Sequence, residues 1–241
     1  YHVVDDMYHQ AYQKAVLEQA LLHDTVAKEN LKVVYTPLHG TGLVPVTNVL
    51  DKDGFTQIHV LESQKEPDSA FSTVRSPNPE EKDALQLAIA YGEEIGADLV
   101  LGTDPDADRV GIAVWNGKEF VLLTGNQTGA LLADYVLSQR ELDETSVVIK
   151  TIVTFELGAD IAEAHGAEVM NLLTGFKYIG EKMIGFAKNK DHTFIMGYEE
   201  SYGYLVGNHA KDKDAVVASM LICEMAAYQK VQGKTLLERL E

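Results

Sequence analysis

The sequence predicts an α/β protein: two similarly built three-layer units with mostly parallel sheets, the first carrying an antiparallel edge hairpin. Three observations predict it. Short runs rich in Val, Ile and Leu alternate with amphipathic stretches of 10–17 residues, the pattern of strands joined by right-handed helical crossovers. Asn116-Gly117 is a two-residue hairpin turn between two apolar runs. Each half closes alike, with a helix, a short apolar strand, a glycine and a charged loop, at Leu101-Gly102 and again at Met196-Gly197.

The elements follow in order. Asp6 to Ala27 carries apolar residues at helical spacing (Ala11, Ala15, Leu17, Leu21, Leu22) and predicts one helix. Leu31–Thr36 predicts a strand, Gly42–Asp51 a helix, Gln57–Leu61 a strand, Pro79–Ile95 a helix and Asp98–Leu101 a strand. The hairpin pairs Val110–Trp115 with Lys118–Leu122 and marks a natural domain end, so the units are expected at residues 1–120 and 121–241. The alternation then resumes with helix 126–140, strand 146–150, helix 155–165, strand 167–171, helix 176–188, strand 193–196 and helix 214–231.

Composition narrows the function. The 241 residues suit one large domain or two of about 120. Twenty basic against 37 acidic residues give a net charge of −17, and no basic stripe occurs, which argues against nucleic acid or an anionic membrane as partner. No apolar run reaches the ~18 residues of a membrane span and no signal peptide opens the chain. Cys223 is the only cysteine, so no disulfide forms within the chain and a reducing cytoplasm is expected. A first residue other than Met suggests a piece of something longer.

The chemistry concentrates in two loops. Gly-Thr-Asp-Pro-Asp-Ala-Asp-Arg at 102–109 follows a strand and spaces Asp104, Asp106 and Asp108 two residues apart. Three hard oxygen ligands so placed can fold around one small divalent cation such as Mg²⁺, and Arg109 behind them can grip a phosphate. A solvated acidic turn is the bland alternative, but three crowded carboxylates repel unless a cation sits among them. An EF-hand starting at Asp104 fails, because its sixth and twelfth positions would be Arg109 and Trp115 rather than Gly and Glu. An aspartyl-phosphate phosphatase, with Asp104 as nucleophile and Asp106 as general acid, remains open, as does a non-catalytic sugar-phosphate-binding module.

The second loop, Gly197-Tyr198-Glu199-Glu200-Ser201-Tyr202-Gly203, sets a carboxylate and a hydroxyl two residues apart, which suits neighbouring sugar hydroxyls. Ligands in open parallel sheets sit beyond the carboxyl ends of strands, so both loops are expected to face one cleft. Nearby at such ends stand Lys150, closing its strand, the Leu173-Thr174-Gly175-Phe176-Lys177 turn, and His209-Ala210-Lys211-Asp212-Lys213-Asp214, where Asp214 is an expected N-cap. Tyr35 to Gly42 joins a strand to a helix through small residues and can present N–H groups to an anion, or serve only as a turn. It is neither a dinucleotide fingerprint nor a Walker loop.

Taken in order, these segments resemble the α-D-phosphohexomutase family, in particular its phosphoglucomutase and phosphomannomutase members. The resemblance rests on TPLHGTG at Thr36–Gly42, D-x-D-x-D-R at Asp104–Arg109, TGFK at Thr174–Lys177, GYEESYG at Gly197–Gly203 and KDKD at Lys211–Asp214. It implies the second and third of four domains, with a hexose phosphate as substrate and the first and fourth domains of the same polypeptide as partners. It implies that Asp104, Asp106 and Asp108 bind Mg²⁺ and that Arg109 helps hold the transferring phosphoryl group. Glu199 and Ser201 would read sugar hydroxyls, Gly175 and Lys177 the sugar's orientation, and Lys211 would join the substrate contacts. Lys150 and Lys213 would stand near the reacting hydroxyl as proton carriers. The family's phosphoserine loop and C-terminal phosphate loop have no counterpart here. Ser76-Pro77-Asn78-Pro79 has similar spacing, but Val74-Arg75 replace the small residues expected before such a serine, and its prolines suit a helix entry.

Overall fold

Both sheets form where β-branched residues cluster between helices. In the computed structural model, which describes residues 4–241, the first sheet comprises β1 (Val33–Thr36), β2 (Ile58–Val60), β3 (Leu99–Thr103), β4 (Val110–Trp115) and β5 (Phe120–Leu122). Their order is β2-β1-β3-β4-β5; β1 runs parallel to β2 and β3, while β4 and β5 are antiparallel additions. Crossovers are made by α3 (Leu43–Asp53) and α4 (Lys82–Ile95), ended by Gly54 and Gly96 in the left-handed conformation at φ 104° and 65°. Every residue of β1 and β3 is buried, the mark of strands covered on both faces.

The second sheet has the order β7-β6-β8-β9, from β6 (Ser146–Thr151), β7 (Glu168–Leu172), β8 (Thr193–Glu199) and β9 (Gly203–Val206). Helices α5 (Gly125–Gln139), α6 (Leu157–Ala164) and α7 (Phe176–Asn189) surround it. Thr124 and Gln127 form a reciprocal capping box at the start of α5. Strand β9 is absent from the sequence reading. The segment read as a charged loop is the tip of an antiparallel hairpin, β8 continuing through Glu199 and β9 returning from Gly203. The second sheet therefore has an antiparallel strand as well.

The first predicted helix is two: α1 (Asp6–Leu17) and α2 (Thr25–Asn30). The chain breaks between them because Asp24 caps α2 through Ala27 N–H, while Leu21 N–H is drawn to the buried Glu224 carboxylate at 2.9 Å. Glu224 belongs to α8 (Ala215–Val231), which precedes the short α9 (Leu236–Leu240). Although α8 lies late in the chain, it packs against α2, α3, β3 and β4 as well as α5 and β9. It is buried on nearly every side and mostly apolar, Glu224 being its buried charge, as suits a helix enclosed by two units. Fully buried Met220, Leu221 and Ile222 each contribute about 1.5–3 kcal/mol of hydrophobic burial. Lys28 of α2 meets Asp53 (2.7 Å) and Glu224 (3.0 Å) at this junction, and Tyr135 of α5 donates to Glu224 at 3.2 Å.

Candidate active site

The loop between β3 and β4 turns back on itself through Ala107, whose φ is 56°. Asp104 organises the turn. Its Oδ1 accepts the N–H groups of Asp108 (3.0 Å) and Arg109 (2.9 Å), and its Oδ2 accepts Arg109 Nε–H (2.8 Å). One carboxylate oxygen each of Asp104, Asp106 and Asp108 lies within 4.8 Å of the others, so the three can converge on one small cation. The donor set is all hard oxygen and Asp106 is exposed, which leaves positions for water or phosphate and suits Mg²⁺. Burial pushes the Asp104 carboxyl up to about 6, with the Asp108 and Asp106 charges adding and the Arg109 hydrogen bonds opposing. Asp104 is 1% exposed and accepts three hydrogen bonds within the loop, which leaves lone-pair capacity for a metal but is unlike a nucleophile facing solvent.

Glycine permits close approach under this loop. A Cβ on Gly40 would lie 2.3 Å from Pro105 Cα. The Tyr35–Gly42 segment spends four N–H groups on nearby protein oxygens: Leu38 on Thr36 Oγ1 (3.1 Å), His39 on Gln64 O (2.9 Å), Gly40 on Pro37 O (2.8 Å) and Thr41 on Pro105 O (2.8 Å). Of its two readings, turn chemistry is the one the geometry supports, and the turn buttresses the aspartate loop.

The facing hairpin is joined directly to that loop. Val110 N–H donates to Tyr202 O (3.1 Å), Arg109 and Gly203 form an isolated antiparallel bridge, and Ala215 N–H donates to Ala107 O (3.1 Å). Lys213 Nζ sits 2.7 Å from Asp108 Oδ2. Glu199 is 5% exposed, and its Oε1 accepts the Gly175 N–H at 2.9 Å, so the Gly175 turn and the hairpin are one unit. Burial holds the Glu199 carboxyl above the usual carboxylate range, against the Gly175 hydrogen bond and the Lys213 charge. Ser201 is half-buried at the hairpin tip.

Three lysines stand apart from this cluster. Lys150 is 1% exposed, and its ammonium is held by Thr154 O (3.0 Å) and Glu156 Oε1 (2.9 Å). Lys177 is exposed, its Nζ 4.9 Å from the centre of the Tyr178 ring. Lys211 curls back onto Asn208 O (2.8 Å) and Ala210 O (3.2 Å). Among the described residues no hydrogen bond or ion pair joins any of the three to the aspartates or Glu199.

Two acidic residues escaped the sequence reading. Glu80 Oε1 accepts from Arg109 Nη1 at 3.1 Å, and Glu200 Oε2 accepts from the Thr151 and Thr154 hydroxyls, both at 3.1 Å. Position beside P-N-P and E-x-S motifs was their only signal. Ser76 lines an open cleft of about 590 Å³ with Asn78, Asp104, Asp106 and Arg109.

Comparison with known proteins gives a consistent picture. The profile described as phosphoglucomutase/phosphomannomutase, alpha/beta/alpha domain II, matches residues 10–117, and that for domain III matches residues 124–241. A phosphoglucomutase of Staphylococcus haemolyticus is 38% identical over 240 residues, which is 98% of this chain and 43% of the relative. One from Staphylococcus epidermidis ATCC 12228 is 40% identical over 218 residues, 90% of this chain and 40% of the relative. The chain thus spans about two-fifths of the length of these relatives. Among solved structures, a Thermus thermophilus chain with a provisional phosphomannomutase assignment superposes with a TM-score of 0.79 at 25% identity, covering all of this chain and 50% of its own. An N-acetylphosphoglucosamine mutase of Aspergillus fumigatus, solved with GlcNAc-6P and magnesium, shares the fold at TM-score 0.64 and 15% identity, covering 95% of this chain and 52% of its own.

Proposed function

Because this chain belongs to the phosphoglucomutase/phosphomannomutase family, we propose that it supplies the metal-binding and sugar-binding domains, residues 1–120 and 121–241, of a cytoplasmic phosphohexomutase. The reaction would interconvert hexose 1-phosphate and hexose 6-phosphate through a phosphoserine enzyme and a bisphosphorylated sugar. The serine and a further phosphate loop would come from first and fourth domains of the same polypeptide. The Gly-Phe-Lys and Glu-Glu-Ser-Tyr-Gly wording favours glucose over mannose.

Asp104, Asp106 and Asp108 would hold Mg²⁺. When bound, the ion supplies positive charge against the phosphoryl oxygens. Arg109 has Nε and one Nη1 proton engaged by Asp104 and Glu80, so it offers the remaining Nη1 and Nη2 protons to the same phosphate. Glu199 spends Oε1 on Gly175 and keeps Oε2 to accept from a sugar hydroxyl, with Ser201 beside it to donate or accept. Acceptance of the sugar in two orientations fits contacts to hydroxyls rather than to one phosphate. Lys177 and Lys211 would contact the substrate, and Lys213, beside Asp108, would carry the hydroxyl proton, a role the buried Lys150 could take only by leaving Thr154 and Glu156. Local cations are needed because the chain's net charge of −17 repels a sugar phosphate.

The observation that carries this reading is the junction of the two loops, the Lys213–Asp108 pair at 2.7 Å beside the Arg109–Gly203 bridge. The test replaces the matching segment of the Staphylococcus haemolyticus phosphoglucomutase with this chain. The hybrid is expected to turn over glucose 1-phosphate faster than mannose 1-phosphate and to lose turnover with Asp106→Asn. The 241 residues alone are expected to show none. A folded but inactive hybrid sinks the proposal, and turnover by the isolated chain would shift attention to Ser76.

A further inference from the structure

The Ser76–Glu81 segment has no role in the function proposed above, yet it borders the cleft over the aspartate loop. Its path is fixed at several points. Gly111 of β4 leaves room for it: a Cβ there would lie 2.4 Å from Pro79 O. Asn78 Oδ1 accepts Glu80 N–H at 3.1 Å, and Asn78 O accepts Glu81 N–H at 3.0 Å. These bonds close a tight turn that ends one residue before α4 and delivers the Glu80 carboxylate to Arg109 Nη1 at 3.1 Å.

We infer that Glu80 is a positioning residue for Arg109, fixing the plane and the outward edge of its guanidinium so that the unspent protons face an incoming phosphate. This rests on the reading of Arg109 as a phosphate ligand. Asp104 holds the guanidinium at Nε (2.8 Å), which is one point and leaves the plane to swing. Glu80 holds Nη1, a second point on the same rigid fork, and two points set its direction. Both carboxylates touch edges that a phosphate in the cleft does not need. Arg109 is 30% exposed, so the third side of the fork stays open. A carboxylate beside a phosphate site lowers affinity by charge alone, so Glu80 aids phosphate binding only if orientation outweighs repulsion.

The two effects predict opposite results. Glu80→Ala removes charge and acceptor; Glu80→Gln removes the charge and keeps an acceptor for Nη1. In the 241-residue chain with saturating Mg²⁺, inorganic phosphate is titrated by ³¹P line broadening. E80A is expected to weaken phosphate binding about tenfold and E80Q to stay within about threefold of the unsubstituted chain, with the affinity for Mg²⁺ alone unchanged in both. Phosphate bound as tightly or more tightly by E80A overturns the inference, as does E80Q falling as far as E80A. A second readout needs no ligand. The Arg109 Nη protons, assigned by their loss in Arg109→Lys, are expected to be distinct in the unsubstituted chain and averaged in E80A. Equal averaging in both overturns the role of Glu80. Absence of Mg²⁺ and phosphate binding in the unsubstituted chain counts instead against the function proposed, while the Arg109 signals still decide the role of Glu80.

Discussion

Three neighbouring aspartates share a charge but not a job. Asp104 is buried and accepts three hydrogen bonds, two from backbone, whereas Asp106 projects into solvent. Asp104→Asn is expected to cost on the order of 2 kcal/mol in urea unfolding, because an amide cannot accept all three bonds. Asp106→Asn is expected to stay within about 0.5 kcal/mol, yet calorimetry should find Mg²⁺ affinity reduced at least ~tenfold in both. Protons compete for the same ligand: with Asp104 raised to about 6, Mg²⁺ affinity is expected to fall as the pH drops through that value. Lys213 is the resting counter-cation of Asp108. Lys213→Met should therefore tighten Mg²⁺ binding about threefold, since the ion no longer displaces an ammonium; weaker binding would show that Lys213 supports the metal instead.

At the level of elements, close packing at glycines shapes the hairpin tip. A Cβ on Gly125, the first residue of α5, would lie 1.9 Å from Glu200 O. Gly125→Ala is expected to lose about 1–3 kcal/mol of stability and to shift the Ser201 amide signal, because α5 and the tip must part. An unmoved Ser201 would show that the strain is taken up within α5. Such contacts are invisible in sequence, where Gly125 is only a helix start. Strands and helices with clear periodicity were legible: β1, β3, the β4–β5 hairpin and α4 through α8 lie within a few residues of their expected places. What escaped was decided by pairing partners rather than by a local pattern. The α1–α2 break depends on Glu224, and β9 depends on pairing with β8, since Glu-Glu-Ser-Tyr carries no turn signature of its own. The aspartate triad was legible because its ligands are adjacent in sequence. Glu80 was not, because only the fold brings it to Arg109.

For the molecule as a whole, the junction around α8 is where pH should act on stability. Two carboxylates, Asp53 and Glu224, share the buried ammonium of Lys28, and among the described residues Asp53 Oδ2 has no hydrogen-bond partner. Burial, with the Glu224 charge behind it, pushes Asp53 up to about 7, so that a proton is held in the folded state that the unfolded chain releases near the ordinary value of 3.8. An acid raised in this way contributes stability below its unfolded value and loses it as the pH climbs through 7. Relative to Asp53→Asn, the unsubstituted chain is expected to lose on the order of 2 kcal/mol between pH 5 and 8, measured by denaturant midpoints at each pH. Parallel curves would show that Asp53 is ionised throughout. Helix α8 has one more consequence. It is encoded with the later unit but forms part of the earlier unit's interior, packing on β3 and β4. Recombination between two diverged genes that cut cleanly at the visible boundary would pair one parent's sheet with the other's wedge. A hybrid cut there is therefore expected to be less stable than either parent, because each unit's interior is completed by the other.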